Sequence, residues 1–423
     1  MTTERAGRPP ARTRLSAWRV VVAFGLVSMA ADVVYEGARS VYGPLLASLG
    51  AGAVLVGAVT GGGEAVALVL RLLFGPLADR SGRHWDYATA GYVLTVLAVP
   101  LMAFAPFAGG AGLALAVVLV LVERLGKAVR SPSKSALLAH VAKAVGRGRG
   151  FGVHKALDQV GAFAGPLLVA LVLAASGAIW PALLVLAVPG AIALALLVWT
   201  RSRVPDPSVY DPLQTPAAVP AEAVEQQRRW LAEATGRGLP REFFLFAAAA
   251  SLTTAGLVTF GIISYHLVVA HVVRVPTIPI LYAVGMLAEA GAALVVGSLY
   301  DRVGARVLYA IPVLVAVVPT LALSRSVPVV VGGVVLWGFA YGLQDSTVKA
   351  LVADLVEARR LATAYGVFAG IQGAAATGGG ALIGWLYDGS RVVLVGVVAA
   401  GQLVALALLA LSLHARRGAP STG

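Results

Sequence analysis

Eight basic and seven acidic residues lie in the interior of long apolar stretches. The bases are Arg39, Arg71, Arg124, Lys127, Arg130, Lys134, Lys155 and Lys349, and the acids are Asp32, Glu36, Glu64, Glu123, Asp158, Glu289 and Asp345. Their spacing is helical. Asp32, Tyr35, Glu36 and Arg39 are i, i+3, i+4 and i+7; Glu64 and Arg71 are i and i+7; Glu123, Lys127, Arg130 and Lys134 are i, i+4, i+7 and i+11; Asp345 and Lys349 are i and i+4. Each set therefore shares one helix face. Faces that mix carboxylates with guanidinium and ammonium groups suit two kinds of chemistry: exchange of a proton at a buried carboxylate, and ionic or hydrogen-bonded capture of a solute. They also suit ion pairs that staple helices together, and the arginines beside the acids leave open which acid carries a proton.

The elements that position these groups follow from cost. On insertion scales a charge at a helix centre costs about 3 kcal/mol, so fifteen facing lipid would cost on the order of 45 kcal/mol. They must face one another or water. Apolar runs of membrane-crossing length fall at 18–48, 53–78, 86–106, 112–141, 151–174 and 178–199. A second set falls at 243–270, 277–299, 307–324, 327–356, 362–386 and 391–413. The expected fold is an all-α membrane protein with twelve transmembrane helices in two pseudo-symmetric six-helix bundles. Spans 1, 2, 4, 5, 8 and 10 carry the charges, span 7 adds His266 and span 11 adds Gln372, while the interiors of spans 3, 6, 9 and 12 carry none. Spans 3, 6, 9 and 12 are thus expected to form the lipid-facing layer.

Composition agrees: 59% of residues are hydrophobic, 13% are charged, and the mean hydropathy is +0.85. The net charge of +13 is explained by location rather than by nucleic acid. With the N-terminus inside, the cytoplasmic side holds 22 Lys and Arg and the opposite side only Arg274, Arg325 and Arg391, in line with the positive-inside rule. Both termini are expected in the cytoplasm and the protein in the cell (plasma or inner) membrane. The domains expected are a tail at 1–17, a bundle at 18–199, a cytoplasmic linker at 200–241, in which 221–234 is read as a tether and topological anchor rather than a surface helix, a bundle at 242–413 and a tail at 414–423. The first span is too long and too charged for a signal-peptide core. No cysteine is present, which excludes disulfides and thiolate chemistry. No nucleophile or metal constellation shares one depth, so an enzyme is not expected, and no cofactor is expected beyond a proton gradient.

Two runs reveal a duplication. GPLADRSGR at 75–83 is repeated as GSLYDRVGAR at 297–306, so Gly75, Asp79, Arg80 and Gly82 return as Gly297, Asp301, Arg302 and Gly304. Ala136, Phe151-Gly152-Val153 and Gly165 return as Ala350, Tyr365-Gly366-Val367 and Gly379. Twelve spans in two halves, a basic central loop and a G-x-x-x-D-R-x-G-R run after span 2 resemble the major facilitator superfamily of transporters over nearly the whole chain. Gly75, Asp79, Arg80, Gly82 and Arg83 match its loop between spans 2 and 3, and Asp301 and Arg302 belong to the weaker copy. The resemblance implies a cytoplasmic gate latched through Asp-Arg and helix-dipole contacts, and a monomer. Gly152, Gly161, Gly165 and Pro166 are similar to the span-5 pattern of the family's antiporters, which implies export, although Val169 and Ala170 stand where two glycines are expected. Arg124 matches the span-4 arginine linked to proton transfer, although Lys127 and Ala128 follow where glutamine and glycine are usual.

The function expected is secondary active transport across the lipid bilayer: proton-coupled export of a small organic molecule or drug by alternating access. Uptake of a small polar solute by proton symport is the alternative. The residues expected to couple protons or line the substrate cavity are Asp32, Tyr35, Glu36, Arg39, Glu64, Glu123, Arg124, Lys127, Asp158, Glu289, Gln344, Asp345 and Gln372. The charge load puts proton coupling in the N-terminal half, and Tyr265, His266, Gln344, Asp345 and Gln372 put more of the substrate contact in the C-terminal half. The partners expected are protons, lipid and a small-molecule substrate, without nucleic acid.

Overall fold

The computed structural model describes residues 15–210, 239–356 and 360–418. The tether expected at 221–234, most of both tails and the side chain of Asp301 lie outside the described residues. Helices carry the chain across the membrane in the order expected. The first half comprises α1 (Ala17–Arg39), α2 (Tyr42–Ser48), α3 (Ala53–Ser81), α4 (His84–Leu101), α5 (Gly112–Val145), α6 (Arg147–Ser176), α7 (Ile179–Leu184) and α8 (Ala187–Arg203). The second comprises α9 (Arg241–Gly256), α10 (Phe260–Val269), α11 (Thr277–Val303), α12 (Ala310–Ala322), α13 (Val327–Leu355), α14 (Leu361–Gly389) and α15 (Arg391–Gly418). Among the described residues eleven segments are long and apolar enough to cross a membrane. The remaining span is α5, whose 34 residues suffice in length but which carries Glu123, Arg124 and Lys127 in its middle.

Four spans expected as continuous are each two pieces. Span 1 breaks between α1 and α2, span 3 ends in a 3-10 turn at Met102–Phe107, span 6 divides into α7 and α8, and span 7 divides into α9 and α10. Breaking a helix in hydrocarbon frees backbone polar groups that must find partners, and the breaks supply them. At the first, Ser40 Oγ donates to Gly37 O at 2.6 Å. At the span 7 break, Trp337 Nε1 donates to Val258 O at 2.9 Å, and Thr259 Oγ1 accepts from Ile262 N.

The packing repeats between halves. In the first, α1 lies on α6 and α8, α5 lies on α3 and α4, and α4 lies on α8; in the second, α9 lies on α14 and α15, α13 lies on α11 and α12, and α12 lies on α15. Gly82 and Gly304, the matching glycines of the duplicated run, both end their turns in the left-handed region at φ 64° and 63°, where a Cβ is disfavoured. The halves meet through α3 with α14, α6 with α11, and α2 with α10. Spans 3, 6, 9 and 12 stay outside this seam and turn large apolar side chains outward, such as Leu97, Phe104, Val188, Val313, Val392 and Leu403. The outer layer is therefore the one the charge distribution indicates.

Both chain ends lie at one face of the bundle. There Tyr210 Oη donates to Leu15 O at 2.6 Å and Ser412 Oγ to Glu242 O at 2.8 Å. We call this the terminal face and the other the distal face.

Candidate functional site

On the distal side the halves touch backbone to backbone, because glycines remove the side chains that would hold them apart. A Cβ on Gly57 of α3 would lie 2.0 Å from Gly380 O of α14, one on Gly61 would lie 2.2 Å from Ala376 O, and one on Gly384 would lie 2.2 Å from Ala53 O. The half-helices α2 and α10 close in the same way, Gly43 facing Gly261 O at 2.3 Å. Toward the terminal face the same helices part and enclose a cavity of about 330 Å³, within the range of small-molecule sites. Thr60, Glu64 and Arg71 of α3 form one wall; Trp337, Tyr341 and Gln344 of α13 and Phe368 and Gln372 of α14 form the other. The α9–α10 break supplies Leu257, Val258 and Thr259 to the closed end. Irregular backbone thus occurs where it borders a cavity.

A compact charge network backs the N-terminal wall. Arg39 Nη2 pairs with Glu64 Oε1 at 2.6 Å, and Arg124 Nη1 reaches the same oxygen at 3.3 Å. Arg124 Nε lies 3.3 Å from Glu123 Oε2, and Arg39 Nη1 lies 3.8 Å from Glu36 Oε2. Tyr42 Oη donates to Glu123 at 3.2 Å, and Arg124 also donates to Tyr35 Oη. Lys127 Nζ sits 3.7 Å from the centre of the Tyr35 ring, a cation–π contact. Three acids and three bases so share one region, and pairing with hydrogen bonds is what makes their burial tolerable.

The network also reaches the other half. Tyr282 Oη of α11 donates to Glu36 Oε2 at 2.5 Å, the Arg39 guanidinium lies 5.6 Å from the Tyr341 ring centre, and the Thr60 and Thr259 hydroxyls are 2.8 Å apart. On the far wall Gln344 and Gln372 both donate to Thr254 Oγ1, at 2.5 and 3.1 Å.

Of the thirteen expected residues, Arg39, Glu64, Arg124, Gln344, Asp345 and Gln372 line the cavity. Tyr35, Glu36, Glu123 and Lys127 stand behind them. Asp32 and Asp158 do not belong to the cavity. Asp32 lies 3.7 Å from Arg130, while Asp158 lies 3.9 Å from Lys134 and 3.7 Å from His154; Ser28 joins this second cluster through Lys134 at 2.7 Å. Asp32 precedes Glu36 by a full turn, which carries it along α1 to the level of the later α5 charges. Glu289 is also off the cavity, half-buried on α11 in the field of Lys155 from α6. Tyr265 and His266 do not contact substrate space either. His266 is held distally between Tyr387 Oη at 2.8 Å and Ser324 O at 3.0 Å.

Among the described residues Asp79 makes no ion pair with a base of the other half. Asp79 is 69% exposed, its nearest base being His84 at 3.8 Å, whereas Arg83 pairs with Asp86 at 2.7 Å and Arg201 joins Asp86 at 2.8 Å. The span-5 glycines serve a seam inside the first half. A Cβ on Gly161 would meet Met29 O at 2.2 Å and one on Gly165 Val33 O at 2.4 Å, both on α1, while Gly152 faces open space. Sequence reasoning missed Tyr282, Tyr341 and Trp337 as participants. For Trp337 and Tyr341 a signal existed, since they stand at i, i+4 with each other and i+7 and i+8 with Gln344 and Asp345.

Two six-span halves that meet around a largely apolar cavity with a charged wall, sealed at one end and parted at the other, have the architecture of a secondary transporter. The sequence pattern of the Major Facilitator Superfamily matches residues 22–275 and 243–422. The chain belongs to that superfamily, and it is a transporter rather than an enzyme. The uncharacterized protein Rv2265 of Mycobacterium tuberculosis is 50% identical over 411 residues, 97% of this chain and 96% of its own. The uncharacterized MFS-type transporter MJ1317 of Methanocaldococcus jannaschii is 25% identical over 376 residues, 87% of this chain and 88% of its own. The solved nucleoside transporter NupG has the same fold, with a TM-score of 0.72 at 15% identity, covering 93% of this chain and 99% of that one.

Proposed function

We propose that the protein exports a small organic molecule from the cytoplasm in exchange for protons, by alternating access of the cavity between its halves. The observation that carries this reading is the position of Glu64, a cavity-wall carboxylate on which guanidiniums from two other helices converge. A proton on Glu64 removes the charge that holds Arg39 and Arg124 together. The network then redistributes toward Glu36 and Glu123, and the hydrogen bond from Tyr282 to Glu36 and the Arg39 contact with the Tyr341 ring carry that change into the second half. Protonation and the position of the halves are thereby coupled at a single layer. The excess of Lys and Arg on the terminal face supports a cytoplasmic position for that face; on that reading the conformation described is the inward-open one, with the distal glycine seam as its closed gate. The exposed Asp79 fits this state. The protein acts in the cell membrane as a monomer.

Energised everted vesicles containing the protein test the reading. Their interior pH is followed with a quenching dye while cationic, anionic, zwitterionic and neutral compounds are added. Antiport predicts proton release triggered by a substrate, lost in Glu64→Gln. Normal transport with an unchanged pH profile in both Asp32→Asn and Glu64→Gln would refute proton coupling through the first half. A response only in right-side-out vesicles, with substrate and proton moving together, would establish uptake instead.

A further inference from the structure

Among the described residues Arg39, Arg124, Arg130 and Lys134 of the membrane interior are paired with acids, and Arg71 on the cavity wall is not. Arg39 has Glu64 and Glu36, Arg124 has Glu64 and Glu123, Arg130 has Asp32, and Lys134 has Asp158. Lys127 covers the Tyr35 ring behind the wall. Arg71 lines the cavity yet has no ion pair or hydrogen bond among the described residues, and its Nε is buried without a partner. It shares a face of α3 with Glu64, two turns nearer the terminal face. Glu64 feels its field, but the Glu64 carboxylate is already committed to Arg39 and Arg124. Asp345, also on the wall, has interactions of its own and lies in the field of Lys155.

An unmatched guanidinium at a cavity wall costs desolvation that a planar oxyanion restores through two parallel hydrogen bonds. The other surfaces bounding the same space are aromatic. Tyr341, backed by the buried Trp337 ring at 5.7 Å between centres, and Tyr365 on the opposing helix are both partly open to it. These faces suit a flat apolar body. Gln344 adds a buried Oε1 with no partner, an acceptor for an N–H or O–H.

We propose that the transported molecule is an aromatic organic anion whose carboxylate or comparable planar oxyanion is bound by Arg71, with its ring system against Tyr341 and Tyr365. The inference rests on reading this cavity as the transport site, and it names the substrate class. It leaves Glu64 free for its proton role, because the ligand's charge is met by a different residue.

The test measures binding alone, without any gradient. Purified protein in detergent is titrated calorimetrically at equal pH with naphthoate, its neutral carboxamide and the cationic naphthylmethylammonium. The expected order puts the carboxylate about tenfold or more ahead of the isosteric amide, the worth of a charge-assisted hydrogen bond, with the cation weakest. Arg71→Gln should remove that advantage and leave amide binding unchanged, and Arg71→Lys should restore part of it. Monodispersity and an unchanged melting temperature show that each variant is folded. Equal binding of carboxylate and amide, a preference for the cation, loss of all three ligands alike in Arg71→Gln, or no binding to the wild-type protein would each overturn the assignment. Selective carboxylate binding with no proton response in vesicles would leave the assignment standing and defeat proton-coupled export.

Discussion

Replacing Gly57 with alanine should open the distal gate. The added Cβ would stand 2.0 Å from Gly380 O and 2.7 Å from its carbonyl carbon, where ordinary contacts begin near 3.4 Å. The obstacle is backbone on both sides, so α3 and α14 must separate by more than an ångström. Overpacking of this kind costs about 1–3 kcal/mol. Alanine also favours helix over glycine by about 1 kcal/mol, but that gain is present in both conformations and cancels in their ratio. The penalty falls only on the distally closed state, so the population open to the distal face should rise about 5- to 150-fold. The chain has no cysteine, which makes the readout direct. Ile262 is fully buried, its Cδ1 only 3.3 Å from the position of the Gly57 Cβ. In an Ile262→Cys background, the rate of labelling by a maleimide should rise in proportion to the open population. Gly152→Ala, whose Cβ meets nothing within 4 Å, should leave the rate unchanged. An unaltered rate in Gly57→Ala would refute the claim that glycine contact closes this gate.

Three further substitutions separate buried from surface contributions. Glu123→Ala strips a fully buried acid from Arg124 and Tyr42, and removing one partner of a buried pair should cost about 3–5 kcal/mol, read as a large fall in the melting temperature of the purified protein. Asp86→Ala breaks pairs with Arg83 and Arg201 that are largely solvent-exposed, so its cost should stay within about 1 kcal/mol and shrink further in high salt. Trp337→Phe keeps a ring but leaves Val258 O without its donor. It should lower stability by about 1–3 kcal/mol by the same melting measurement and loosen the α9–α10 break, seen as faster exchange of nearby amides.

The spans and their layering were legible because hydropathy and the cost of charge in lipid act on each helix separately. So was the N-terminal wall of the cavity, since Arg39, Glu64 and Arg124 stand on charged faces of three helices and buried charges must find each other. The break at Ser40 is marked by Pro44, four residues on, whose ring and missing N–H stop a continuous helix there. The break at Val258 was not legible, since no proline marks it and what holds it is an indole donated from α13. Tyr282 and Tyr341 were hidden for a related reason: an isolated tyrosine in an apolar run gains meaning only when its partner on another helix is known. Asp32 shares a stripe with the cavity residue Arg39, but its position along the helix places it at Arg130, away from the cavity, and Asp158 lies with Lys134 and His154. His266 was misread as a substrate contact because its partners, Tyr387 and Ser324 O, come from segments distant in sequence. The duplicated loop motif was plain, but whether Asp79 is latched depends on conformation, which no motif encodes.

The most direct test of the coupling claim uses proteoliposomes and the compound that gives the largest response in vesicles. Two rates are compared in wild type and Glu64→Gln: accumulation driven by an imposed pH difference, and exchange of labelled for unlabelled compound at equal pH. Loss of accumulation with exchange retained is predicted, because the halves still alternate around bound substrate while the proton has no carboxylate to occupy between Arg39 and Arg124. Undiminished accumulation in Glu64→Gln would contradict the account.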